Sequence, residues 1–86
     1  MPNISTFYGI TIQMFWGDHE PPHFHALYGE HEVIMDIQTL AILRGSIPQR
    51  ALRLVIDWAL QHQQELMENW RLCDIKKTPV KISPLE

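Results

Sequence analysis

Over most of the first half of the chain, apolar and polar positions alternate with a period of two, the pattern of strands with one buried face. In residues 8–16, Ile10, Ile12, Met14 and Trp16 share one face and Thr11 and Gln13 the other, which predicts a strand that Gly17-Asp18 ends. Glu20-Pro21-Pro22 must then run extended, because proline fixes its own φ and disfavours the helical region for the residue before it. A second strand is expected over residues 23–28, with Phe24, Ala26 and Tyr28 facing one way and His23, His25 and Leu27 the other. Gly29-Glu30 is a turn signal, and residues 32–38 alternate again, Val33, Met35 and Ile37 against Glu32, Ile34 and Asp36. A fourth strand over residues 40–44 follows a tight turn near Gln38-Thr39. These short connections predict an antiparallel sheet of three to four strands.

After Gly45 the period lengthens. Gly45-Ser46-Ile47-Pro48-Gln49 reads as a helix start, with Ser46 as N-cap, Gln49 as its capping-box partner and Pro48 in the first turn, where no amide donor is lost. Leu52, Val55, Ile56, Ala59, Leu66, Trp70 and Cys73 then form one apolar stripe, interrupted by Gln61-His62-Gln63-Gln64. A continuous helix over residues 47–73 would be about 40 Å long at the usual rise per residue. A domain of this size should have a radius of gyration of only about 12 Å. The expectation is therefore one kinked helix or two consecutive ones, residues 47–61 and 62–73, packed on the sheet in a single α+β domain over residues 1–86. The tail, residues 74–86, holds lysines and two prolines around the alternating Val80, Ile82 and Leu85, which suits an edge strand or a segment docked on a partner.

Composition narrows the class. A chain of 86 residues that is 45% hydrophobic and 20% charged is an ordinary globular one, near the size at which a single core just suffices, so a homodimer or a bound metal is an expected staple. The lone Cys73 cannot form an intramolecular disulfide, and Met1-Pro2-Asn3-Ile4-Ser5-Thr6 lacks the basic and apolar regions of a signal peptide; a cytoplasmic location is expected. No apolar run approaches the roughly 20 residues that span a bilayer, so no membrane insertion is expected. The net charge is −3, and every Lys and Arg lies at Arg44 or later, which argues against nucleic acid as a general partner and leaves one local patch at Arg44, Arg50 and Arg53.

The candidate chemistry lies in Asp18-His19-Glu20-Pro21-Pro22-His23-Phe24-His25, which holds three of the five histidines. Imidazole both transfers protons near neutral pH and ligates borderline metals. His23 and His25 on one strand face supply two ligands, and His19, Asp18 or Glu20 from the loop completes a three-ligand site with an open position, suited to zinc or another divalent transition metal. A second reading is metal-free acid–base cleavage of an RNA phosphodiester by two of His19, His23 and His25, with Arg50 or Arg53 bracing the phosphate. A third is a recognition module with no catalysis, whose sheet face, histidines and tail bind a protein. Trp16, Trp58 and Trp70 read as core anchors, His31 and His62 as exposed or capping residues, and Cys73 as a packed thiol.

Ile4-Ser5-x-Phe7-Tyr8-Gly9-Ile10, His19-x-Pro21-Pro22-His23-Phe24-His25-Ala26-x-Tyr28-Gly29, Arg50-Ala51-Leu52-Arg53-Leu54-Val55 with Trp58, and Glu65-Leu66 with Asn69-Trp70 together resemble a bacterial family known only as domain of unknown function 4160. The likeness covers nearly the whole chain, and Pro21-Pro22-His23-Phe24-His25-Ala26 is its most specific part. What the resemblance implies is a small stand-alone bacterial protein, often encoded beside another small protein of the domain of unknown function 2442 type, in an arrangement like a toxin–antitoxin pair. It implies a small protein partner encoded nearby and carries over no activity.

Overall fold

The computed structural model describes residues 3–86. Five strands run in chain order, β1 (Asn3–Phe7), β2 (Ile10–Gln13), β3 (His23–Tyr28), β4 (His31–Asp36) and β5 (Ile42–Ser46), followed by α1 (Gln49–Gln61) and α2 (Gln63–Asp74). The strands form one antiparallel meander in the order β1-β2-β3-β4-β5. The α+β class is as expected, but there are five strands instead of three to four. The extra one is β1, in residues to which the alternation assigned no strand; the strand predicted over residues 8–16 shortens to β2, because Tyr8 and Gly9, at φ 49° and 78°, make the two-residue turn of a hairpin closed by the Phe7–Ile10 pair. The fourth predicted strand likewise shifts from residues 40–44 to Ile42–Ser46. The Asp36 carboxylate accepts the amides of Gln38 and Thr39 at 2.7 and 2.9 Å, which holds the β4–β5 turn open through residue 41.

The predicted capping box does not form. Ser46 is still paired with Glu32 in the sheet, and Pro48, extended at φ −54° and ψ 145°, is the N-cap of α1 with no side-chain cap bond. Between α1 and α2, His62 takes φ −131° and ψ 22°, so the stripe is carried by two helices, as the polar interruption indicated.

Alternation selects the core. Ile4, Ile10, Ile12, Met14, Phe24, Ala26, Val33, Met35 and Ile37 are buried from the sheet, and Ala51, Val55, Trp58, Ala59, Leu66, Trp70 and Cys73 from the helices. Trp58 sits at the centre, its ring 5.3 Å from Phe7 and 6.2 Å from Phe24. Trp16 departs from the expectation of three core tryptophans: it lies beyond the end of β2 and is 52% exposed. The tail is held by its own chain. The Ile82 amide donates to the Ile4 carbonyl at 2.8 Å, the Trp58 indole to the Ser83 carbonyl at 2.8 Å, and the buried Asn69 amide exchanges two 2.8 Å bonds with the Val80 backbone.

Candidate metal centre

β3 begins at His23, and its period of two places His23 and His25 on the face opposite Phe24 and Ala26. The loop from Gly17 to Pro22, with a cis Glu20–Pro21 peptide, brings Asp18 back over that pair. One carboxylate oxygen, Asp18 Oδ2, lies 3.1 Å from His23 Nε2 and 3.4 Å from His25 Nε2. All three donor atoms fall within 4.8 Å of one another. The two imidazoles are only 12% and 13% exposed, against 31% for Asp18.

The other ring nitrogens determine what these atoms can do. His23 Nδ1 lies 2.7 Å from the Pro21 carbonyl oxygen and His25 Nδ1 lies 2.9 Å from Glu32 Oε2. A carbonyl and a carboxylate only accept, so both Nδ1 atoms carry the proton. In neutral rings both Nε2 lone pairs then point at an oxygen that also only accepts. Three acceptors facing one another need a cation or extra protons between them. Aromatic neighbours hold the rings in place: Phe15 meets His25 edge-on at 4.6 Å, and Trp70 lies 5.1 Å from His23.

Of the residues singled out from the chain, the fold thus brings together Asp18, His23 and His25. His19 and Glu20 are exposed in the loop and lie outside the converging set. Arg50 and Arg53 are exposed on the first turns of α1. His31 is exposed, and the His62 ring contacts the Glu65 carboxylate and lies 5.4 Å from Trp58. Cys73 is a buried thiol, pushed above its ordinary value first by burial and then by the charge of Asp18, so it stays protonated at neutral pH. Reading along the chain missed Glu32, Phe15 and Trp70. Glu32 could be found only through the strand register, which sets it opposite Leu27 and diagonal to His25.

No curated protein and no solved structure matches the chain. A family model does match residues 9–71, a span that takes in Asp18, both imidazoles, Glu32 and Trp70, and its description is "Domain of unknown function (DUF4160)"; the chain belongs to that family.

Proposed function

We propose that Asp18, His23 and His25 hold a divalent transition metal ion, zinc matching the donor set best, and that this centre is the working site of one component of a two-protein, toxin–antitoxin-like module. The observation that carries the reading is the convergence itself: each imidazole has its Nδ1 taken up by an acceptor, and both Nε2 atoms face one carboxylate oxygen. Ligands about 2.0–2.2 Å from a tetrahedral ion stand roughly 3.3–3.6 Å from one another. The nitrogen–oxygen separations of 3.1 and 3.4 Å are close to that spacing. Hydrogen bonds from Nδ1 to a carbonyl and a carboxylate are the usual outer support of metal-ligating imidazole.

Three protein ligands leave a position for water, and a metal-bound water is acidic enough to serve as a nucleophile near neutral pH. Phosphodiester hydrolysis is the chemistry this would supply. The test is metal analysis of protein purified without a histidine tag, compared with the His23→Ala, His25→Ala double variant. About one equivalent of metal in the parent and none in the variant is expected. Equal content in both removes the ion, and leaves the metal-free reading in which His23 and His25 trade protons at the same phosphodiester.

A protein partner is supported by a separate observation. All five residues of β5 are exposed at the edge of the sheet, with Ile42 and Leu43 47% and 45% exposed. Such an edge accepts an added strand from another chain.

A further inference from the structure

Next to the metal centre lies a set of groups that metal binding does not use. Trp16 is 52% exposed, yet its indole N–H donates to the Lys77 carbonyl at 3.1 Å, so the ring is tethered while much of its surface stays open. Asp18 follows two residues later, at most about 7 Å away along the backbone. On the other side, α2 ends in a Schellman motif, with the Lys76 amide bonded to the Cys73 carbonyl at 3.1 Å and the Lys77 amide to the Leu72 carbonyl at 2.8 Å. The left-handed position of that motif ordinarily takes glycine, but here it is Lys76, at φ 60°. A cation thus stands where the backbone alone would favour a residue with no side chain.

Among the described residues, neither Lys76 nor Lys77 joins an ion pair, and both are exposed. Arg71, Lys76, Lys77 and Lys81 place four of the chain's seven permanent cations within this short stretch, against the acidic balance of the whole. Lysine near a helix C-terminus also complements the helix dipole. That accounts for Lys76 in part, and for neither the tethered indole nor Lys77 beyond the helix end.

An open aromatic face tethered to the backbone of an exposed lysine pair that joins no ion pair fits single-stranded nucleic acid, whose unstacked bases lie on aromatic rings while lysines meet the phosphates. A duplex presents no free base face to such a ring. We infer that Trp16, Lys76 and Lys77 form a docking platform for single-stranded nucleic acid, placed to deliver a phosphodiester to Asp18, His23 and His25. Delivery rests on the metal-centre reading; binding to the platform does not.

The test is fluorescence anisotropy with short labelled oligouridine RNA, the matching deoxyuridine strand and a duplex of equal length, using chelator-treated protein at low salt. Saturable binding to the single strands and not to the duplex is expected. Trp16→Ala and Lys76→Gly should each weaken it at least about fivefold, and the slope of log affinity against log salt should flatten by about 0.7 for each lysine removed. Lys76→Gly should hold or raise the thermal unfolding midpoint, because glycine takes the left-handed conformation without strain, so its loss of binding cannot be loss of fold. Equal affinity for RNA and DNA supports recognition through base and phosphate, and a preference for RNA adds the 2′-hydroxyl. No saturable binding by the parent, or unchanged binding by both variants, overturns the platform. Metal uptake by the same preparation separates the two readings: strands bound without metal uptake retain the platform and remove the ion, and metal uptake without strand binding does the reverse.

Discussion

At the scale of single residues, the centre depends on which nitrogen of each imidazole carries its proton, and the chain sets this with two different acceptors. His23 uses the carbonyl of Pro21, which no substitution at that position removes, and His25 uses the side chain of Glu32, which can be removed. Glu32→Ala should therefore leave the fold intact, because the carboxylate is half exposed, and weaken metal affinity by about 10–100-fold, the usual cost of losing an outer-shell partner. Isothermal titration of the apoprotein with zinc measures this; unchanged affinity would mean that His25 does not rely on Glu32. Cys73 contributes in the opposite sense. Its raised value means that the fold favours the neutral thiol, so its share of stability is complete below the ordinary value of 9.0 and is lost as pH rises through the folded-state value.

At the scale of elements, the boundaries that moved were those where a local signal competed with pairing. Ser46, Pro48 and Gln49 carry a sound helix-start pattern, but Ser46 is held by Glu32 across the sheet and the start passes to Pro48. Tyr8-Gly9 lies inside an alternating run, and only the pairing of Phe7 with Ile10 shows it to be a turn. The last strand lies close against β4 at Gly45. A Cβ on Gly45 would stand 2.2 Å from the Glu32 carbonyl oxygen, and the residue lies at φ 80°. Gly45→Ala should cost about 1–3 kcal/mol from the left-handed conformation and more from the clash. A fall in the denaturant midpoint, with β5 amides losing hydrogen-exchange protection first, would show it, and an unchanged midpoint would count against this pairing. The same substitution pulls on Glu32, so metal affinity should fall with it.

At the scale of the whole molecule, the two sheet edges are treated differently. The tail covers β1 through the bond from Ile82 to Ile4 and is secured by Asn69 and Trp58, whereas β5 is bare. The break at His62 keeps both helices over a body whose radius of gyration is 11.6 Å, and among the described residues no helix is long and apolar enough to cross a membrane. If a protein encoded nearby adds a strand at β5, Leu43→Lys should abolish its co-purification while leaving the unfolding free energy within about 0.5 kcal/mol of the parent, as for other exposed substitutions. Retention of the partner by this variant would place the interface elsewhere.

The succession of an antiparallel sheet and two helices, the core faces of β2, β3 and β4 and of the helices, and the delivery of His23 and His25 to one strand face were legible in the chain, because each follows from a period of two or of 3.6 residues and needs no distant contact; β1 and the exposure of Trp16 were not. The choice of Asp18 over its neighbours His19 and Glu20, the support of His25 by Glu32 and the closing of the site by Phe15 and Trp70 were decided only in three dimensions. They depend on how a proline loop returns over the sheet and on which residues the register sets side by side. Both are settled by long-range packing, to which local periodicity is blind.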